Sequence, residues 1–396
     1  MNILLTTIFD FPHTGGLSTH VDTLKKGLEE QGHKVDVLSF SDVNKTIQLG
    51  YVKGPSFLMN RIVKGSGIIW SQKARQRLLL NTIQNFLKNN KVDIINSQDA
   101  FATLASIQTN IPTVMTTHGY AAFEMISKGS VPENSPQAKQ MHDVEVQAYQ
   151  GAGQVLTVDQ RIREYIKDKA NVEAISIKNF INITDFTPNK DKQNDYRKKY
   201  NISESTKVLF IPRRLTRKNG VIQPVKALPK VLEQFPDTQL LFAGEGEERS
   251  AIESLASKLG IKHNITLLGS VSHHTMKEYY SLSDIVLVPS IHSKGVEEAT
   301  SISALEAMGS GTPIIAGAVG GLKELIDHNV HGLLVNAEDP NELAQSITLI
   351  LQQPDNGESM AKNARKKIEE EHSHIAAAEH FLNAYKSLYD RAQKNV

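Results

Sequence analysis

Short apolar stretches recur along the chain, and the longer segments between them carry apolar positions at a helical period. In the first half the β-branched and apolar runs fall at residues 3–7, 34–40, 92–97, 113–117, 154–158 and 173–178. An amphipathic helix is predicted over 17–31, closed by Gly32 where a helix stops in a left-handed turn. The second half repeats the scheme, with strands predicted at 208–211, 239–243, 265–268, 285–289, 312–316 and 332–335. These strands are near-continuous apolar runs separated by helices, which predicts parallel sheets covered on both faces.

Two such series do not easily share one sheet. The expected fold class is therefore α/β, with two Rossmann-like doubly wound parallel-sheet domains facing a central cleft. A polar stretch at 187–195, without hydrophobic period, marks the join. The predicted organisation is an N-terminal domain over 1–185, a second domain over 186–375 and a C-terminal helix over 376–396 packing across both. Open parallel sheets take ligands outside the carboxyl ends of their strands, so the chemistry is sought in the loops that follow strands.

Composition narrows the picture. The 396 residues predict two or three domains and can bury a core without staples. Lys plus Arg exceeds Asp plus Glu by 44 − 43 = +1, which argues against a dedicated nucleic-acid binder. Cysteine is absent, excluding a disulfide scaffold, a thiolate zinc site, an iron–sulfur cluster and a Cys nucleophile. No strictly apolar run exceeds four residues, against the ~20 a membrane-spanning helix needs. The start, Met1-Asn2-Ile3-Leu4-Leu5, has no basic leader, meets Asp10 early and reads as a first strand. A cytoplasmic address is expected.

One stretch departs from the mean. Residues 43–92 contain no Asp or Glu but nine cations: Lys45, Lys53, Arg61, Lys64, Lys73, Arg75, Arg77, Lys88 and Lys91. The only tryptophan, Trp70, lies there beside Ile68 and Ile69. Such a field would attract an anionic acceptor or an anionic leaflet; a solvated helical face neutralised from elsewhere in the fold is the plainer alternative.

Three loops could carry chemistry. After the first strand, Gly15 and Gly16 precede a helix, so backbone N–H groups can approach an anion, although a plain turn would look the same. No Gly-Lys-Ser/Thr follows, so this is not a phosphate-binding P-loop. After the first strand of the second half, Arg213, Arg214, Arg217 and Lys218 place four cations where a phosphate would be held, or form an exposed basic turn. The third runs from Glu298 through Ser301, Ile302, Ser303 and Glu306 to Gly311-Thr312-Pro313. Eight helical positions rise ~12 Å, too far for a glycosidase carboxylate pair at ~5–9.5 Å. The two glutamates would thus act on different parts of one elongated ligand, with the N–H groups of Ser301, Ile302 and Ser303 facing the same place. Alternatively Ser303-x-x-Glu306 is a capping box that merely closes a helix start.

These residues, with Thr117-His118-Gly119, match a family in order and spacing. Nearly end to end, the chain resembles the retaining, nucleotide-sugar-dependent glycosyltransferases of family 4, which have the GT-B architecture of two Rossmann-like domains. The resemblance implies that Arg213 and Lys218 neutralise the donor diphosphate as it leaves. It gives Gly15 and Gly16 backbone contacts to the phosphates, Glu306 the ribose hydroxyls and Glu298 the donor sugar, with His118 beside the transferred sugar. Arg214 and Arg217 are adjacent alternatives to Arg213. Two departures concern the sugar pocket: Ala299 and Ser301 stand where the family often has glycines, and Glu297 precedes Glu298.

The implied activity is transfer of a hexosyl or N-acetylhexosaminyl group from a nucleotide-diphosphate sugar, most often UDP in this family, to a hydroxyl acceptor. Sugar, glycan and lipid-linked acceptors all fit, with peripheral contact to an anionic inner membrane face and no nucleic acid. The chain has no Asp-x-Asp pair, so neutralisation by Arg213, Lys218 and helix N-termini is expected, with no metal and no cofactor. Rivals are a sugar-nucleotide epimerase of the same architecture and a non-catalytic nucleotide-sugar-binding subunit. A dehydrogenase is weaker, because Gly244-Glu245-Gly246-Glu247-Glu248-Arg249 lacks the third glycine of a dinucleotide fingerprint.

Overall fold

The computed structural model describes residues 1–13, 16–127, 130–292 and 301–394. The chain divides into two compact units, Met1–Asn179 together with His374–Val396, and Phe180–Ser373. The divisions thus fall a few residues before the polar stretch and two residues before 376.

The first unit is built on β1 (Asn2–Thr6), β2 (Lys34–Leu38), β3 (Ile94–Ser97), β4 (Thr113–Thr117), β5 (Gln154–Thr157) and β6 (Ala174–Ser176). They form one six-stranded sheet in the order β2-β1-β3-β4-β5-β6, parallel throughout. Its helices are α1 (Gly16–Glu30), α2 (Lys45–Ile47), α3 (Gly54–Ile62), α4 (Ser66–Leu87), α5 (Ala100–Ser106), α6 (Ala121–Ser127), α7 (Pro136–Gly151) and α8 (Gln160–Ala170). Helix α1 buries Val21, Leu24 and Leu28 along one stripe and ends before Gly32, which takes a φ of 81°.

The second unit carries β7 (Lys207–Ile211), β8 (Thr238–Ala243), β9 (Ile265–Gly269), β10 (Ile285–Val288), β11 (Ile314–Gly317) and β12 (Leu333–Val335). Their order is β12-β11-β10-β7-β8-β9, again all parallel. This is the Rossmann order, with the switch point between β7 and β10. Alternation along β7 shows both faces covered: Leu209 and Ile211 join one apolar layer with Leu240 and Leu287, and Val208 and Phe210 join another with Val286 and Tyr280. Around the sheet lie α9 (Gln193–Lys199), α10 (Gln223–Leu232), α11 (Arg249–Lys258), α12 (His273–Leu282), α13 (Ile302–Gly309), α14 (Gly320–Leu325), α15 (Pro340–Gln352) and α16 (Pro354–Glu371).

The last helix, α17 (His374–Lys394), belongs to the first unit and packs on α1. The approach is close. A Cβ on Gly27 would sit 2.3 Å from the carbonyl oxygen of His374, and the buried His374 ring lies 3.1 Å through Nε2 from Glu30. Among the described residues no helix is long and apolar enough to cross a membrane.

Candidate functional site

In the second unit the cationic loop starts where β7 ends. Arg213 is buried, and its guanidinium is fixed by three neutral acceptors from three segments: Ser301 Oγ at 2.7 Å, Asn219 Oδ1 at 2.7 Å and Ser290 Oγ at 2.9 Å. Asn219 is oriented in turn by donating to the Arg214 carbonyl at 2.8 Å. Lys218 sits half-buried one turn on, and its carbonyl accepts from Ile291 N at 3.1 Å. The loops after β7 and β10 therefore meet at the switch point, where an open α/β sheet holds ligands. Gly220 makes that approach feasible, with a φ of 64° and a Cβ position only 1.8 Å from the Pro289 carbonyl oxygen. Arg214, by contrast, is exposed.

Ser301 directly precedes α13, so the first N–H groups of the helix, Ile302 and Ser303 among them, open beside Arg213. The capping-box alternative fails. Ser303 Oγ donates to the Pro212 carbonyl at 2.7 Å, and Glu306 Oε2 accepts from Tyr280 OH at 2.7 Å. Glu306 is buried, which pushes its carboxyl up to about 7 despite the Tyr280 hydrogen bond that favours the anion. Its Oε1 lies 3.7 Å from His273 Nε2. One loop-and-helix turn thus gathers Arg213, Ser301, Ser303 and Glu306, while Glu298 lies outside the described residues.

The first unit has its own cavity of about 520 Å³ beyond the carboxyl ends of β1, β3 and β4, lined by Gly16, Gln98, His118, Glu145 and Tyr149 among others. Gly16 opens α1, and a Cβ built on it meets nothing within 4 Å. Packing does not demand glycine there; the space beside it is cavity. Gly15 lies outside the described residues. His118 follows β4 and is neutral at physiological pH, burial having lowered its pKa to about 4. Its Nε2 meets Gln98 Oε1 at 3.0 Å, and Gln98 Nε2 donates to Asn96 Oδ1 at 3.1 Å. With the amide oriented this way, Nε2 of His118 is the protonated nitrogen and Nδ1 the acceptor.

Sequence reasoning missed several of these groups. Asn96 receives Thr116 Oγ1 at 2.8 Å and donates to Tyr385 OH of α17 at 2.5 Å, so the histidine rests on a buried polar chain reaching the last helix. Glu145 and Tyr149 line the cavity from α7. The Glu145 carboxylate accepts from Ala121 N at 2.7 Å at the head of α6, and burial raises its pKa to about 7. A carboxylate on the Met141–Val144–Ala148 apolar stripe of α7 was the available signal. Trp70, read as part of a charged surface, is instead a packing element: its Nε1 donates to the Tyr51 carbonyl at 3.1 Å and its ring lies against Phe40, Val43, Val52 and Ala74.

Comparison with known proteins identifies the family and the fold. Residues 192–367 match the family described as "Glycosyl transferases group 1" and residues 14–185 match "Glycosyltransferase Family 4". An uncharacterized glycosyltransferase of Methanocaldococcus jannaschii is 27% identical, over 98% of each chain. Sucrose-phosphate synthase from Thermosynechococcus elongatus superposes with a TM-score of 0.69 at 20% identity, over 98% of this chain and 99% of that one. HepE of Anabaena, solved with UDP and glucose, gives 0.67 at 17%, over 98% and 100%. With both units matched and the fold shared, the chain belongs to the family 4 glycosyltransferases of GT-B architecture.

Proposed function

We propose that this glycosyltransferase is retaining, takes a hexosyl or N-acetylhexosaminyl group from a nucleoside diphosphate sugar, with UDP as carrier, and delivers it to a hydroxyl of a sugar, glycan or lipid-linked glycan. The observation that carries the reading is the buried Arg213, held by Ser301, Asn219 and Ser290 at the β7/β10 switch point beside the head of α13. A fixed guanidinium there meets a diphosphate without reorganising as its charge grows. HepE, of the same fold, was solved with UDP and glucose, which supports the choice of carrier.

In this reading the bond from the anomeric carbon to the diphosphate oxygen breaks as the acceptor oxygen bonds on the same face. The acceptor proton passes to the departing phosphate oxygen. Arg213 and Lys218 hold the developing charge, the α13 N–H groups of Ile302 and Ser303 assist, and Glu306 takes the ribose hydroxyls through Oε1, since Oε2 is engaged by Tyr280. Glu298 takes hydroxyls of the donor sugar, Gly15 and Gly16 give backbone contacts to the phosphates, and neutral His118 offers Nδ1 to a sugar hydroxyl. Neutralisation by these cations needs no metal ion. The cysteine-free composition fits the reducing cytosol, where we place the enzyme.

The test is incubation of the pure protein with UDP-, GDP- and ADP-sugars, without added metal, following nucleotide release and sugar products. Slow hydrolysis of one donor is expected, falling about 10²–10³-fold in Arg213→Ala or Lys218→Ala. Full turnover in those folded variants would remove the electrostatic role. Binding without turnover, whatever acceptor is offered, would favour a nucleotide-sugar-binding subunit. A new nucleotide sugar formed without acceptor would indicate an epimerase.

A further inference from the structure

The stretch from Lys45 to Ile62 runs as helix α2, a π-helical turn over Gln48–Lys53 and helix α3, and its amphipathicity is inverted. The side turned to the protein is mostly polar and spaced by four. Gln48 Nε2 donates to the carbonyls of Phe40 and Val43, Ser56 Oγ donates to the Gly67 carbonyl at 2.7 Å, and Asn60 Oδ1 accepts from Gly67 N at 2.9 Å. Val52 is the one buried apolar side chain of that row. The opposite side is apolar and bare. Ile62 is 83% exposed, Leu49 65%, and Phe57 and Leu58 61% each, with Ile47 and Val63 also exposed; Tyr51, exposed at one edge, leans on Trp70 with ring centroids 5.8 Å apart. These seven are half of the fourteen large apolar side chains exposed among the described residues, gathered within seventeen positions.

A water-facing helix places its charges outward and its apolar stripe inward; this one turns its large apolar side chains outward together with its charges. Cations are interleaved with the apolar groups. None of Lys45, Lys53, Arg61 and Lys64 has a carboxylate partner among the described residues, and the Arg61 guanidinium lies 4.8 Å over the Phe57 ring, so ring and charge face outward together. No acid occurs anywhere in 43–92. Apolar side chains ringed by unneutralised cations match an anionic bilayer surface, where the former enter the acyl boundary and the latter meet headgroup phosphates.

We infer that the outward face of residues 45–64 is a peripheral docking surface for anionic membrane, inserting Leu49, Phe57, Leu58 and Ile62. The inference stands on this surface alone and does not depend on the donor chemistry. Mixing the full chain with vesicles of phosphatidylcholine, with and without phosphatidylglycerol, and sedimenting at low salt tests it. The chain should pellet with the anionic vesicles and stay in solution with the neutral ones. Phe57→Gln, Leu58→Gln and Ile62→Gln together, at exposed helical positions that glutamine suits, should weaken partitioning about tenfold or more. Lys53→Gln, Arg61→Gln and Lys64→Gln together should weaken it roughly a hundredfold. Circular dichroism and nucleotide release in the absence of vesicles should match the parent in both variants. No pelleting at low salt, or equal pelleting by the apolar triple variant, overturns the inference. A concentration-dependent dimer that the apolar variant dissolves overturns it also, by assigning the face to a second copy of the chain.

Discussion

At the scale of single residues, the two groups most open to test differ in what holds them. Arg213 is locked by side chains from three segments, so replacing it disturbs protein and ligand contacts together. Gly16 is held by nothing, since a Cβ there meets no atom within 4 Å. Gly16→Ala should fold with an unchanged melting temperature, alanine being the better helix former. If the cavity beside it receives a ligand, turnover should fall, by up to ~10² for a displacement near 1 Å; steady-state kinetics beside a thermal melt separates the two effects. Unchanged kinetics would mean that the ligand keeps clear of the head of α1. The motif residues were legible because each lies in a short run that directly follows a strand, as Arg213 and Lys218 follow β7, and not because their partners are near in sequence: Ser290 and Ser301 are 77 and 88 positions from Arg213. The support of His118 was not legible. Asn96 and Tyr385 are 289 positions apart, and only the packing of α17 brings them together.

At the scale of elements, all twelve strands lie within two residues of the ends predicted from apolar runs, because a strand buried on both faces leaves a run that nothing else in a soluble chain explains. Helices with polar duties were less legible. Helix α7 carries Glu145 among apolar neighbours to cap α6, and the inward side of α3 is held by hydrogen bonds, so neither follows the binary pattern. The α7–α6 junction has a measurable signature. The folded chain holds the Glu145 proton to about pH 7, whereas the unfolded chain releases it near 4.5. Between those values the unfolded state binds fewer protons, so this group makes stability fall as pH rises, by up to ~3 kcal/mol at pH 8. Glu145→Gln keeps an acceptor for the Ala121 N–H and removes the titration. Relative to the parent it should be more stable at pH 8 and level below pH 4.5, as read from denaturant midpoints across pH. A difference independent of pH would show that the carboxyl does not titrate in that window.

At the scale of the whole molecule, the chain leaves the first unit at residue 179, builds the second without interruption and returns at 374. Helix α17 then supplies what the first unit lacks: Phe381 and Leu382 for the core, Tyr385 for the polar chain under His118, and a backbone seated on Gly27. Truncation after Ser373 should therefore strip the first unit of its cooperative melt while the second keeps its own, a split that calorimetry resolves into one lost and one retained transition. Two retained transitions would make α17 an accessory.

That return path also orders events during synthesis. A contiguous unit can close as soon as its last strand and helices clear the ribosome, and residues 180–373 meet that condition. The first unit, although translated earlier, must wait for helix α17, His374–Lys394, before Asn96, Glu30 and Gly27 find their partners. The half made first is thus the half finished last. Until α17 emerges it exposes an unfilled seam along α1, a surface on which a nascent-chain chaperone would be expected to dwell.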